Sequence, residues 1–100
     1  MGAPENAVEG YLQRVCDKRG IFCRKFVSPG TNGYPDRILV HDGTVVFVEA
    51  KRPGGRLRKL QALRIGELRG HGANAEVADT REAVDALIES YWPSDAAPPA

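Results

Sequence analysis

Asp36, Glu49 and Lys51 are the residues of this 100-residue chain whose types and spacing point most directly to chemistry. Two carboxylates can hold a hard divalent cation, and an ammonium beside them can act on a water or an anion. All three lie in GYPDRILVHDGTVVFVEAKR, residues 33–52, which reads as two strands joined by a tight turn. Asp42-Gly43 is a favoured pair for a two-residue type I′ turn, because both central residues need positive φ. With that loop His41 faces Thr44, and every facing pair has residue numbers that add to 85. Asp36 and Glu49 obey the same rule, so the register sets them opposite each other on one face, with β-carbons about 5 Å apart. Their repulsion there is about 3 kcal/mol at an effective dielectric of about 20, before desolvation is added.

Lys51 follows Glu49 by two residues, so strand alternation returns it to the same face. It supplies one compensating charge, whereas Mg²⁺ or Mn²⁺ between the carboxylates would supply two. The plain alternative is a surface ion-pair cluster on a half-exposed hairpin. Against it stands the strand itself. Val46, Val48 and Ala50 make one of its faces apolar and Phe47 adds an apolar residue to the other, so the strand is expected to be buried on both sides.

The elements that must position this hairpin follow from periodicity and punctuation. Pro4 suits a first helical turn, and Ala7, Val8, Tyr11, Leu12, Val15 and Cys16 recur at helical spacing up to Gly20. Ile21–Val27 reads as a strand, 28–34 as a Gly/Pro/Asn loop, and Pro53-Gly54-Gly55 ends the third strand. A second helix is expected from Leu57 to about Arg69, a short strand over Ala75–Ala78, and a last helix capped by Asp79 or Thr80 and running to Tyr91. The order is αβββαβα. On helical projection Glu5 falls inside the apolar stripe of the first helix and Glu9 at its edge, while Gln61 faces inward from the second.

A chain of this length bounds a single small domain, expected over residues 1–92, with a Pro/Ala-rich tail over 93–100 expected to be disordered. No apolar run approaches a membrane span and the N-terminus lacks a signal-peptide pattern, so a cytoplasmic protein is expected. Cys16 and Cys23 read as reduced core thiols. The net charge of +1 conceals an asymmetry: residues 1–69 hold 13 of the 14 Lys and Arg against 7 acids, and residues 70–100 hold one against 6. Lys51, Arg52, Arg56, Arg58, Lys59, Arg64 and Arg69 crowd into one stretch that begins at the acidic pair, where a polyanion would be gripped.

Pro35-Asp36 followed by Glu49-Ala50-Lys51 resembles the PD-(D/E)xK nuclease superfamily. The longer strings KFVSPGTNGYPDRILV and VVFVEAKRPGGRLRKLQ, with a short αβα ending, resemble its VRR-Nuc branch over roughly residues 5 to 90. The resemblance implies a restriction-endonuclease-like α/β core with a mixed four-stranded sheet flanked by helices. It implies Asp36 and Glu49 as metal carboxylates for Mg²⁺ or Mn²⁺, the Ala50 carbonyl as a backbone ligand, Lys51 as the catalytic lysine and Gln61 as the glutamine of the following helix. Glu5, acting on the metal directly or through water, corresponds to the first-helix acid, with Glu9 one turn away. Lys25, Arg52, Arg56, Arg58 and Lys59 are the expected DNA contacts. The implied activity is metal-dependent DNA endonuclease action, structure-selective on branched DNA such as four-way junctions, by a homodimer. The alternatives are a flap or duplex nuclease and a non-cleaving nucleic-acid-binding module of the same fold. For the dimer contact, the first helix with the adjoining strand is favoured, because Tyr11, Phe22 and Phe26 offer large apolar surface.

Overall fold

The computed structural model describes residues 6–94. Its elements are α1 (Ala7–Arg19), β1 (Phe22–Lys25), β2 (Arg37–His41), β3 (Thr44–Ala50), α2 (Lys59–Gly70), β4 (Asn74–Ala78) and α3 (Arg81–Tyr91), the expected αβββαβα order. The strands form one sheet in the order β1-β2-β3-β4. β1, β2 and β3 are antiparallel neighbours and β4 joins β3 in parallel, so the sheet is mixed.

The hairpin at the centre is set by its turn. Asp42 and Gly43 have φ of 50° and 76°, as a type I′ turn requires. The ladder then runs His41 with Thr44, Leu39 with Val46 and Arg37 with Val48. The inward residues of this register, Leu39, Val46, Val48 and Ala50, are buried with Val8, Leu12 and Cys16 of α1 and Val84, Leu87 and Ile88 of α3. That layer is the core. Trp92 closes it, donating from Nε1 to the His41 carbonyl at 2.9 Å. Cys16 and Cys23 lie inside it as free thiols.

The second face of the sheet is only partly covered. α2 packs there against β4, burying Ile65 of its own residues, with Ala75 buried beneath. Val45 remains 40% exposed and Phe47 half-buried, so β3 is not buried on both sides along its length as its composition suggests. Burial on this face is confined to the end that carries Glu49.

Element boundaries differ from the sequence reading where capping intervenes. α1 begins at Ala7 because the Asn6 side chain accepts from the backbone N–H groups of Val8 and Glu9. Pro4 and Glu5 precede that cap and lie outside the described residues, as does most of the 93–100 tail. Ile21 closes the turn that ends α1, its N–H donating to the Cys16 carbonyl at 2.8 Å, which shortens β1. α2 starts two residues later than expected because the Gln61 Oε1 accepts from the Arg58 backbone N–H at 2.9 Å and fixes the helix entry there. Of the two residues expected to cap α3, Thr80 does so, its Oγ1 accepting from Ala83 N–H at 2.9 Å.

Candidate active site

Asp36 continues the β2–β3 register by one step and comes to lie across from Glu49. Its backbone carbonyl accepts from Phe26 N–H at 2.9 Å, and its Oδ1 accepts from Ala50 N–H at 3.4 Å. Glu49 is buried, at 5% exposure. The carboxyl groups show the strain of that placement. Burial, then the charge of Asp36, raises the Glu49 pKa from 4.5 to about 7, and the nearby Lys51 offsets this only in part. Asp36 is also raised, by burial first and by Glu9 second, against the Ala50 hydrogen bond and the charge of Arg37.

Gln61 reaches this pair from the first turn of α2, as its inward projection implies. Its Nε2 donates to Glu49 Oε2 at 3.1 Å, and its Oε1 accepts from Lys51 Nζ at 3.3 Å. One neutral side chain thereby ties the acid to the lysine, whose Nζ stands 4.0 Å from Glu49 Oε2. The amide orientation is consistent throughout, since the oxygen faces two donors and the nitrogen faces a carboxylate. Asp36, Glu49, Lys51 and Gln61 are brought together.

Among the described residues, the first-helix acid near this cluster is Glu9. It acts on Asp36 electrostatically while accepting from Arg37 Nε at 2.8 Å and standing 3.6 Å from Lys25 Nζ. Arg37 also donates to Gln13 and is nearly buried on the core side of β2. Glu5 lies outside the described residues. Lys25 is drawn to Glu9, although its side chain stays largely exposed.

Two features were not legible beforehand. Asn6 donates from Nδ2 to the Ala50 carbonyl at 2.9 Å, which links the start of α1 to the end of β3. An Asn immediately before an apolar-periodic run was the available signal for its capping role. The other is the wall formed by the 28–34 loop. Arg64 Nε donates to the Asn32 carbonyl at 3.0 Å, the Tyr34 hydroxyl donates to Glu67, and a Cβ on Gly33, whose φ is +93°, would stand 2.7 Å from Leu60 Cγ. The loop is thus pinned to α2. Between them opens a cleft of about 500 Å³ lined by Asn32, Tyr34, Asp36, Glu49, Arg58 and Gln61 among others.

The donor set at this cleft suits a hard divalent cation. Asp36 and Glu49 offer oxygen ligands, and the Ala50 carbonyl, next in sequence to Glu49, accepts from Asn6 Nδ2 at 2.9 Å and keeps a second lone pair. No group of three or more His, Cys, Asp or Glu is assembled for a metal among the described residues, so backbone oxygen and water would complete any coordination shell.

The basic run divides under the fold. Arg64 is used in the loop wall, and Arg69 donates from Nε to the Ala75 carbonyl at 2.9 Å and stands 3.6 Å from Glu76. Arg52, Arg56, Arg58 and Lys59 are exposed and have no carboxylate partner among the described residues.

Comparison with known proteins gives the same picture. A family model described as the VRR-NUC domain matches residues 7–82. The protein named "Putative nuclease p44" from Acyrthosiphon pisum secondary endosymbiont phage 1 is 34% identical over 79 residues, covering 78% of this chain and 85% of that protein. A solved structure named "VRR_NUC domain" superposes with a TM-score of 0.80 at 30% identity, covering 88% of this chain and 97% of its own. A second, named "VRR_NUC domain protein", has a TM-score of 0.72 at 23% identity over 91% and 89% of the two chains, a likeness in fold. The αβββαβ core, with an acid pair, a lysine and a glutamine at the end of its central hairpin, is that of a PD-(D/E)xK nuclease. Within that class the chain belongs to the VRR-NUC family.

Proposed function

We propose that the chain is a Mg²⁺- or Mn²⁺-dependent DNA endonuclease that hydrolyses phosphodiester bonds and selects branched DNA, four-way junctions in particular. The observation that carries the reading is the meeting of Asp36, Glu49, Lys51 and Gln61 at an open cleft beside arginines that no carboxylate among the described residues neutralises. Asp36, Glu49 and the Ala50 carbonyl would hold the cation. When bound, the cation polarises the phosphate and lowers the pKa of a bound water. The chain's own groups do the rest. Lys51, held by Gln61 at 3.3 Å, donates to the phosphate oxygens and stabilises their growing charge. Gln61 holds Lys51 and Glu49 in register without adding charge. Glu9 takes the part of the first-helix acid, supported by its influence on Asp36. No helix among the described residues is long and apolar enough to cross a membrane.

A homodimer completes the reading, because two strands must be cut to resolve a junction and a two-fold pair offers two equivalent sites to a substrate with its own two-fold symmetry. The fold narrows the surface for it. Tyr11 donates its hydroxyl to Asp85 on α3 at 2.8 Å, under the Arg81 guanidinium, whereas by strand alternation Phe22 lies on the opposite face of the sheet. The sheet face that α2 leaves open offers one: Phe22, Val40 and Val45 are register neighbours across three strands, and Phe22 is 49% exposed. We place the second copy there.

The test is incubation of labelled duplex, flap and four-way-junction DNA with Mg²⁺, Mn²⁺ or EDTA. Metal-dependent product, greatest on the junction, is expected. Binding under all three conditions without product would identify a non-cleaving module instead, and preference for flap or duplex would remove the junction assignment.

A further inference from the structure

Lys51 lines one of two neighbouring clefts and reaches the other through its hydrogen bond to Gln61. One contains Asp36 and Glu49. The other, of about 360 Å³, is lined by Asn6, Lys51, Arg52, Gly55, Arg56 and Arg58 among others, with no carboxylate among the described residues of its wall. Arg58 lines both, so the two clefts adjoin at that side chain. The second cleft is shaped by a turn with little latitude. Gly55 N–H donates to the Arg52 carbonyl at 2.8 Å, Gly54 has a φ of +78°, and a Cβ on Gly55 would stand 2.9 Å from the Arg52 oxygen. That turn folds the chain back so that Arg52 and Arg56 border one cavity. The floor is held by Asn6 on the Ala50 carbonyl.

Three guanidinium groups and an ammonium around one cavity repel one another, and among the described residues no acid offsets the arginines. Arg64 and Arg69, from the same basic run, are tied instead to carbonyls and carboxylates. The contrast separates arginines that hold the fold from arginines left for an anion. A guanidinium's planar fork matches two phosphate oxygens, and a cluster of three suits a group with several.

We propose that this cleft is a phosphate subsite, taking the backbone phosphate next along the strand from the one at Lys51. The placement rests on the reading of the neighbouring cleft as a phosphodiester-cleaving site. The anion site itself does not. It assigns Arg52, Arg56 and Arg58 a specific position on the strand in place of a diffuse electrostatic grip, and it fixes the strand's direction of travel from the acid pair past Lys51 toward the Arg52–Arg56 turn.

Two measurements separate these levels. First, the metal-free protein in EDTA is titrated with inorganic phosphate and followed by ¹H–¹⁵N NMR. Saturable shifts confined to residues 52–58, abolished by Arg56→Gln, are expected, and no saturable change there overturns the subsite. Second, the cleavage-deficient Glu49→Gln protein is bound to DNA with a single methylphosphonate moved stepwise from the cleavage point mapped with wild type. A loss of about tenfold at one position adjacent to that point, the worth of one charge-assisted hydrogen bond, is expected. Adding Arg56→Gln should erase that positional loss and reduce the slope of log affinity on log salt by about 0.9. A flat positional profile overturns the placement. A nick with a terminal phosphate at that position binding more tightly than the intact strand would overturn the internal assignment in favour of a strand end. Phosphate binding at residues 52–58 with no DNA cleaved under any metal would sink the nuclease reading and the placement with it, leaving an anion site.

Discussion

Replacing Glu49 with Gln should make the metal-free protein more stable at alkaline pH, although it removes a charge that stands 4.0 Å from Lys51. Glu49 is buried and its pKa is raised from 4.5 to about 7, first by burial and then by Asp36. A carboxyl with higher proton affinity in the folded state than in the unfolded state favours folding while protonated. Stability therefore falls as pH rises from about 4.5 through about 7. At pH 8 the folded protein bears the full cost of ionising this group, about 3 kcal/mol at about 1.4 kcal/mol per pH unit of displacement. Gln is neutral at every pH and keeps one acceptor oxygen and the shape of the side chain. Its gain should approach about 3 kcal/mol at pH 8 and shrink below about 0.5 kcal/mol near pH 4.5, where the wild-type group is protonated in the fold. For a domain of this size the alkaline gain corresponds to a rise in Tm of roughly 10 to 20 °C. Urea melts in EDTA at the two pH values, wild type against Glu49→Gln, measure it. An equal effect at both pH values, or a destabilised mutant at pH 8, would refute the reasoning and make Glu49 a structural ion-pair partner of Lys51.

Lys51→Ala should abolish cleavage yet still bind Mn²⁺ by calorimetry, since the proposed mechanism has the lysine donate to the phosphate and leaves it out of the ligand set; near wild-type turnover would exclude its catalytic role. Gly33→Ala should cost about 1 to 3 kcal/mol, because the residue has positive φ and its new methyl group meets Leu60, and equilibrium melts matching wild type would show that the loop wall yields. Phe22→Glu, on the open sheet face, should convert a dimer to a monomer by light scattering while leaving Mn²⁺ affinity unchanged. A mutant that remains dimeric would move the interface elsewhere.

The sequence by itself determined the hairpin and what the hairpin carries. A two-residue Asp-Gly turn admits one register, and period-two alternation then assigns every side chain a face, so Asp36, Glu49 and Lys51 were legible from neighbours fewer than twenty positions apart. Gln61 was legible as well, because helical projection needs only the helix's own residues. The tertiary structure decided whatever depended on elements distant in the chain. Where α1 starts relative to the end of β3 depends on Asn6, whose contact with Ala50 spans 44 positions. Which arginines remain free depends on reach: Arg64 and Arg69 find carbonyls on a loop and a strand that the linear charge run does not mention. Tyr11 and Phe22 are both large and apolar, yet one packs on α3 and the other lies across the sheet. Strand alternation and helical phase are backbone properties, set by sterics over a few residues. Partner choice for a long side chain is a packing property, set only when the layers close.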